Sequence, residues 1–293
     1  MAGAAGAAGA AAGSALGSSW GSLRVSPARE QVLLVELNRP HKRNAMGAAF
    51  WREMVECFEA IARDPSSRAV VIAGAGSVFT AGIDLEELGR EFLAVEGEDA
   101  ARRAWKLRRK IEEFQETFSV LEKCPKPVIA AVNGACVGAG VDLVSACDIR
   151  YCSQDAWFQV KEVDIGLAAD VGTLQRLPKI LGSQSLVNEL ALTARKLLAP
   201  EALTCGLVSR VFPDKETLLE GALDVAAAIA ARSPVAVQGT KVNLVFSRDH
   251  PVADGLRFVA AWNMSMLQSE DVLKAAQAAL EKRGPEDVVF AKL

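Results

Sequence analysis

The chain has 293 residues, of which 51% are hydrophobic and 24% are charged, so it can form one large globular core or two modest ones. Its formal net charge of -3 and its pI near 5.6 argue against a nucleic-acid-binding function, which usually needs a strong basic field. No apolar run reaches the roughly 18 residues that a membrane-spanning helix needs.

Cysteine and histidine usage gives no sign of a metal site. The six cysteines form no CxxC pair and no metal-ligand spacing, which favours reduced core residues. The only two histidines, His41 and His250, each lie beside a proline in a predicted loop. We therefore expect neither a histidine-based catalytic triad nor a bound metal ion.

The two ends of the chain have distinctive compositions. Residues 1–22 are mostly Ala, Gly and Ser, which predicts a disordered leader, and they contain no basic residue of the kind that a mitochondrial presequence carries. The chain closes with Ala291-Lys292-Leu293, a variant of the Ser-Lys-Leu peroxisomal address. Three terminal residues can also match such an address by chance.

Hydrophobic patterning between the ends predicts an α/β protein. Apolar runs at 32–37, 69–73 and 128–132 read as strands, and residues at helical spacing predict helices at about 46–63 and 98–122. A further strand is predicted near 157–160, and past residue 177 the pattern is almost all helical, interrupted by a strand near 208–212. We place an α/β unit at 23–230 and a helical region at 231–293, whose apolar positions suit packing on another subunit.

Two glycine-bearing turns precede helical segments, at Ala81-Gly82-Ile83 and at Gly138-Ala139-Gly140. A helix start presents unpaired backbone N–H groups and the positive end of the helix dipole. Two such N–H groups directed at one oxygen would form an oxyanion hole for an enolate or a tetrahedral anion. A single glycine turn is weak evidence, and neither turn is a P-loop or a complete GxGxxG fingerprint.

Three acids, Asp142, Glu162 and Asp170, follow the second turn in apolar surroundings. Carboxylates clustered in such a pocket cannot all ionise easily, so at least one should have a raised pKa and hold a proton near neutrality. The pocket would then contain both a base and an acid. The alternative is that the acids cap helices or pair at the surface with nearby cations, namely Arg150, Lys161 and Arg176.

Several motifs carry a resemblance to a known family. They are Phe79-Thr80-Ala81-Gly82-Ile83-Asp84-Leu85, Asn133-Gly134-Ala135-Cys136-Val137-Gly138-Ala139-Gly140, Leu37-Asn38-Arg39-Pro40 with Asn44-Ala45-Met46, and Cys147-Asp148-Ile149-Arg150. With these motifs in this order, the chain resembles the enoyl-CoA hydratase/isomerase (crotonase) superfamily over roughly residues 23–290. Asp170 stands where the family's hydratases usually have Gly and its Δ3,5-Δ2,4-dienoyl-CoA isomerases have Asp. The chain is therefore most similar to these isomerases.

The resemblance implies an α/β crotonase (ClpP-like) spiral of ββα turns with a helical C-terminal region that forms trimers, and a hexamer of two trimers. It implies acyl-CoA substrates and no cofactor beyond the coenzyme A of the substrate. It places the oxyanion hole at the N–H groups of Ile83 and Ala139, and the substrate contacts at Ala81, Gly82, Ile83, Asp84, Leu85 and Ala139. The family usually has Gly where Ala139 stands, so a backbone angle that only Gly tolerates would be strained there.

The implied reaction moves two double bonds of a 3,5-dienoyl-CoA to give the 2,4-dienoyl-CoA. Glu162 would take the C2 proton and Asp170 would protonate C6, and the assignment of these two acids to the two carbons stays open. Asp142 would tune or orient both acids. One alternative is a hydratase that uses Asp142 and Glu162 alone, and another is a non-catalytic scaffold or RNA-binding member. The implied location is the peroxisome, reached through an import receptor that binds Ala291-Lys292-Leu293, with the mitochondrion as a second possibility.

Overall fold

The computed structural model describes residues 20–293, with the side chains of residues 88 and 91–93 left out. The predicted leader, 1–22, lies outside the described residues except for its last three. Trp20 packs against the hydrophobic core, and the N–H groups of Gly21 and Ser22 donate to the Glu53 carboxylate at 2.8 and 2.7 Å. Those three residues therefore belong to the folded part.

The described strands form two sheets. They are β1 (Leu23–Arg29), β2 (Val32–Leu37), β3 (Ala69–Gly74), β4 (Val128–Val132), β5 (Ala135–Val137), β6 (Ile149–Ser153), β7 (Trp157–Gln159), β8 (Leu197–Leu198) and β9 (Arg210–Phe212). The larger sheet has the order β1-β2-β3-β4-β6-β9 and is parallel except for the antiparallel β1-β2 pair. The smaller sheet has the order β5-β7-β8.

Helices connect and cover these strands. They are α1 (Ala48–Arg63), α2 (Leu85–Leu93), α3 (Ala100–Lys123), α4 (Ala139–Ala146), α5 (Thr173–Ile180), α6 (Gln184–Thr193), α7 (Ala199–Thr204), α8 (Lys215–Ala230), α9 (Pro234–Arg248), α10 (Val252–Met266) and α11 (Glu270–Leu280). None of the helices within residues 20–293 has the length and apolar character that crossing a membrane requires.

The large sheet is buried on both faces, which is typical of parallel strands and explains why β3 and β4 are continuous apolar runs. Alternate side chains point to opposite faces. Val70 and Ile72 of β3 pack in the core that contains α1, α3 and α4, whereas Val71 packs on the opposite face with Leu218 and Ala222 of α8. The helices thus fix β3, from which the chain leads to the first glycine turn, whereas the second glycine turn directly follows β5 of the smaller sheet.

Helices α9 to α11 carry many exposed apolar side chains. Their most exposed members include Leu244, Val252, Leu256, Met264 and Leu273, each at least 62% exposed. A cleft of about 720 Å³ lies among these three helices. The predicted boundary at residue 230 coincides with the end of α8, and a separate oligomerisation region stays a prediction.

Candidate active site

The side chain of Asn44 holds the segment that leads to the first glycine turn. Its amide nitrogen donates to the carbonyl oxygens of Ala75, Val78 and Phe79 at 2.8 to 3.1 Å. Its amide oxygen accepts from the Arg39 N–H at 3.0 Å. A buried amide with this many backbone partners gives the segment one conformation, because leaving any of them unpaired would be costly.

Backbone hydrogen bonds join the two glycine turns directly. The Thr80 N–H donates to the Ala135 carbonyl at 2.9 Å, and the Val137 N–H donates to the Thr80 carbonyl at 3.2 Å. Gly82 has φ +88, and a Cβ there would lie 2.7 Å from the Val137 carbonyl oxygen. The close approach of the turns therefore depends on the missing side chain of Gly82.

Each turn supplies one N–H group without an acceptor among the described residues. The bonds from Met46 N to Gly82 O and from Asp84 N to Met46 O flank Ile83 and leave its own N–H free. Ala139 is the first residue of α4, so its N–H has no helical partner. The predicted N–H pair is thus available to a ligand oxygen.

The strain expected at Ala139 is absent. Ala139 does not have a positive φ, whereas its neighbour Gly138 has φ +52. A Cβ at Gly140 would overlap the Thr80 methyl group. The turn therefore requires glycine on both sides of residue 139 but accepts alanine at that position.

Asp142 lies in the first turn of α4 and is completely buried. Its Oδ1 accepts a 2.5 Å hydrogen bond from the Thr173 N–H at the start of α5, whereas its Oδ2 has no partner. Burial raises the pKa of Asp142 to about 6, although the hydrogen bond from the Thr173 N–H and the Arg176 charge act in the opposite direction. Asp142 is therefore poised between its two protonation states near neutrality.

Glu162 begins the short 3-10 helix Glu162–Ile165 and is also buried. A Cβ at Gly138 would lie 3.4 Å from Glu162 Oε1, which places the carboxylate against the turn that carries Ala139. Its Oε2 has no partner. Burial, followed by the negative charge of Asp142, raises the pKa of Glu162 to about 7. A carboxylate with such a pKa is suited to proton transfer at physiological pH.

Asp170 lies in the loop before α5 and is the most exposed of the three acids. Partial desolvation raises its pKa, and its charge in turn raises the pKa of Asp142 and of Glu162. The structure thus brings the three predicted acids close enough to affect one another. Asp170 also lines a polar cavity of about 530 Å³ between α3, α5 and α9, which gives it access to solvent.

The three acids do not form surface ion pairs with the nearby cations, which was the alternative prediction. Lys161 pairs with Asp164, Arg176 with Glu122, and Arg150 donates to backbone carbonyl oxygens. The helix-capping alternative applies only to Asp142, which caps α5. The sequence did not single out Thr173, whose N–H donates a hydrogen bond to the Asp142 carboxylate.

The predicted substrate-contact segment 81–85 combines structural and open positions. The Asp84 carboxylate is buried and pairs with Arg39 at 3.3 Å and with Lys42 at 3.9 Å, so its side chain holds the loop. Leu85 is 58% exposed at the start of α2 and is free to contact a ligand. Within residues 20–293 no group of three or more His, Cys, Asp or Glu side chains could hold a metal ion.

Comparison with known proteins agrees with this geometry. A family profile described as enoyl-CoA hydratase/isomerase matches residues 28–287. The chain belongs to the enoyl-CoA hydratase/isomerase family. The enoyl-CoA hydratase of Bacillus anthracis has a similar solved structure, with a TM-score of 0.82 and 29% identity over 92% of this chain and 99% of that one. The expected α/β crotonase fold is therefore confirmed.

Relatives within the family show which of its members this chain is similar to. The mitochondrial Delta(3,5)-Delta(2,4)-dienoyl-CoA isomerase of Homo sapiens is 65% identical over 275 residues, which cover 94% of this chain and 84% of that one. The peroxisomal protein of the same name from Arabidopsis thaliana is 46% identical over 88% of this chain and 91% of its own length. The resemblance to dienoyl-CoA isomerases predicted from the motifs is confirmed.

Proposed function

We propose that the protein is an isomerase that converts 3,5-dienoyl-CoA into 2,4-dienoyl-CoA in the oxidation of unsaturated fatty acids. The observation that carries this proposal is the third carboxylate, Asp170, which is electrostatically coupled to Asp142 and Glu162 beside two free N–H groups. The names of the relatives at 65% and 46% identity support it.

The first step removes a proton from C2. The thioester oxygen binds between the N–H groups of Ile83 and Ala139, which acidifies C2 and stabilises the dienolate that forms. Glu162 takes this proton because its carboxylate borders the turn of Ala139 and its pKa of about 7 leaves a large ionised fraction at neutral pH. Asp142 raises the proton affinity of Glu162 through its negative charge.

The second step returns a proton at C6. C2 and C6 are too far apart for one short carboxylate to serve both, so a second acid is needed further along the cleft. We assign this role to Asp170, whose pKa is raised by partial desolvation, a shift that favours its protonated form. One proton leaves C2 and one arrives at C6, so the double bonds move from C3 and C5 to C2 and C4 without any change in composition. These steps need only carboxylates and N–H donors, so we propose no cofactor beyond the coenzyme A of the substrate.

Replacement of Asp170 tests the proposal. In Asp170→Asn we expect isomerisation to fall by on the order of 100-fold or more, because the proton donor at C6 is lost, while acyl-CoA binding stays nearly unchanged. The assay is the ultraviolet absorbance change on mixing with a 3,5-dienoyl-CoA, since conjugation with the thioester shifts absorption to longer wavelength. The matched control is Asp164→Asn, an exposed acid that pairs only with Lys161. A full-rate Asp170→Asn enzyme would contradict the role of Asp170.

A hydratase is the second candidate, because Asp142 and Glu162 are both buried with one unpaired oxygen each, where a water molecule could bind. Product analysis separates the two reactions. A hydratase converts a 2-enoyl-CoA into a 3-hydroxyacyl-CoA, whereas the isomerase only moves double bonds. Lack of turnover with either substrate would favour a scaffold or RNA-binding member, which a gel-shift assay would test.

Assembly and location complete the proposal. We propose a homo-oligomer, a hexamer of two trimers, in which the exposed apolar side chains of α9 to α11 are covered by neighbouring subunits. The relatives' names support mitochondria or peroxisomes as the compartment. The exposed Ala291-Lys292-Leu293 would be the contact for a peroxisomal import receptor.

A further inference from the structure

Three charged side chains from three helices form a cluster behind the loop of Asp170. Glu122 near the end of α3 forms ion pairs with Arg176 of α5 at 2.9 Å and with Arg248 of α9 at 2.6 Å. The side chains are 14%, 11% and 27% exposed, respectively, so solvent screens them only partly. Burial acts to raise the pKa of Glu122, but the two guanidinium groups hold that pKa below its ordinary value. The cluster therefore keeps Glu122 ionised and Arg176 in place.

The guanidinium group of Arg176 lies directly on the turn that precedes α5. Gly172 has φ +139, and a Cβ on it would overlap the Arg176 side chain. Arg176 Nη1 also lies 3.5 Å from the Val171 carbonyl oxygen. The next residue, Thr173, donates its N–H to Asp142. Arg176 thus covers the short segment that joins Asp170 to the hydrogen bond on Asp142.

Helix α3 contacts the loop of Asp170 at one point and the Arg176 side chain at a further one. The Gln115 side chain donates to the Asp170 carbonyl at 2.8 Å, and Arg176 Nη2 donates to Ser119 Oγ at 3.2 Å. These contacts and Glu122 lie along one face of α3, at intervals of about one helical turn. The loop of Asp170 is therefore fixed by α3 through both its backbone and Arg176.

We propose that Arg176 is a positioning residue for the isomerisation: its guanidinium, fixed by Glu122, locks the turn at Gly172, so that Asp170 and the Thr173 N–H keep their places relative to Asp142. The inference rests on the proposed function. Arg176 does not touch the substrate in this scheme. It acts through the loop, and the chemistry is performed by the carboxylates.

Arg176 has a second effect, because its positive charge lowers the pKa of Asp142. The charges of Arg176 on α5 and of Asp170 in the preceding loop act on Asp142. The charge of Asp142 in turn raises the pKa of Glu162 in the 3-10 helix and of the Cys136 thiol of β5. Arg176 is the cation in this group of side chains, and its charge favours the ionised form of Asp142. Its removal should make Asp142 hold its proton more tightly, and because Asp142 and Glu162 titrate as a coupled pair, the pair should release its protons at higher pH.

The test compares Arg176→Gln with Arg176→Lys. In Arg176→Gln we expect kcat to fall at least tenfold with KM within about twofold, because a loosened loop misplaces the acids without removing a substrate contact. The acid limb of the pH–rate profile should move to higher pH. Arg176→Lys keeps the charge but loses the planar fork, so its acid limb should stay near that of the wild type while kcat remains reduced. The matched control is Arg63→Gln, because Arg63 is an exposed residue of α1 that forms an ion pair with Glu59.

Hydrogen exchange gives a readout that needs no substrate. The peptide covering residues 166–176 should exchange faster in Arg176→Gln than in the wild type and Arg63→Gln. Unchanged exchange, an unchanged acid limb, or a raised KM with full kcat would each overturn the inference. A wild type without isomerase activity would refute the proposed function, while the exchange data would still decide the role of Arg176. If Arg176→Gln does not fold, Glu122→Gln should show the lower kcat and the faster exchange to a smaller extent, without the move of the acid limb to higher pH, because the Arg176 charge remains.

Discussion

The three carboxylates of the candidate site differ in their access to water, and this difference assigns their roles. Asp142 is completely buried, Glu162 is 6% exposed, and Asp170 reaches the polar cavity. Asp170 can therefore recover its proton from solvent after each turnover, and Glu162, in its drier environment, must release the proton taken from C2 before the next one. The asymmetry supports Glu162 as the base at C2 and Asp170 as the acid at C6.

Removing the charge of Asp142 should shift the pH dependence of the reaction. Glu162 must be ionised to act as a base and Asp170 must keep its proton to act as an acid, so kcat/KM should have a bell-shaped pH dependence whose acid limb reflects the ionisation of Glu162, with its pKa of about 7. In Asp142→Asn the acid limb should move to lower pH, because a neighbouring negative charge that raises the pKa of Glu162 is lost. The limb should stay above the ordinary range of a glutamate, since burial is the larger cause.

The measurement is the pH–rate profile of both forms, with Asp164→Asn as the control. A limb that does not move, or that moves to higher pH, would mean that Asp142 does not act on Glu162 through its charge. The shift expected here is opposite in direction to that of Arg176→Gln, so the two variants check each other.

The sequence singled out all three acids because carboxylates within apolar runs are costly to bury, and their catalytic roles stay a prediction. It could not predict how their surroundings are built. The hydrogen bond from Thr173 to Asp142 spans 31 residues, and the pair between Arg176 and Glu122 spans 54. Such partners come together only when α3, α4 and α5 pack, and no local pattern identifies them.

At the level of elements, continuous apolar runs predicted β3 and β4 well, since these strands are buried on both faces. Strand β1 was missed because it contains Pro27 and charged residues, which an edge strand tolerates and a central strand does not. Strand β6 was missed because Arg150 interrupts its apolar pattern, and β5 has only three residues. The glycine turns were predicted, but not the backbone hydrogen bonds that join them.

Substitution at Gly82 should disrupt the junction of the two turns. In Gly82→Ala the positive φ and the approach to the Val137 carbonyl both oppose a Cβ, so we expect a loss of about 1–3 kcal/mol in the free energy of unfolding. Isomerase activity should fall as well, because the N–H of Ile83 moves away from that of Ala139. Urea unfolding and the absorbance assay measure the two effects.

The matched control for this variant is Gly182→Ala, where a Cβ meets open space and φ is not positive. That substitution should be neutral or slightly stabilising. Equal effects of the two substitutions would show that the contact between the turns at Gly82 has no special importance.

For the whole molecule, the apolar surface of α9 to α11 is the feature that the described chain itself does not cover. In Leu256→Glu, a charge placed in the cleft among these helices should oppose subunit contact and shift the protein towards smaller species. Sedimentation velocity measures the change. The control is Leu192→Glu on α6, which is 74% exposed and lies outside that cleft. A monomeric wild type would contradict the proposed oligomer.

The raised pKa values of Asp142 and Glu162 also couple folding to proton uptake. In the unfolded chain these acids release their protons near pH 4, whereas the folded chain holds them up to about pH 6 and 7. Between these limits the folded state binds more protons than the unfolded state, so the free energy of unfolding decreases as pH rises. Each acid lowers it at pH 8, relative to pH 4, by on the order of 2 kcal/mol.

Glu122 has the opposite linkage. Its pKa is lowered in the folded chain, so its stabilising contribution is present at neutral pH and is lost as the solution becomes acidic. The carboxylates that carry the chemistry thus weaken the fold in the pH range where they work, and the ionic cluster behind them strengthens it there. Mild acidification would therefore first protonate Asp142 and Glu162, which stabilises the fold. Glu122 would be protonated only at lower pH, which would break its ion pairs with Arg176 and Arg248.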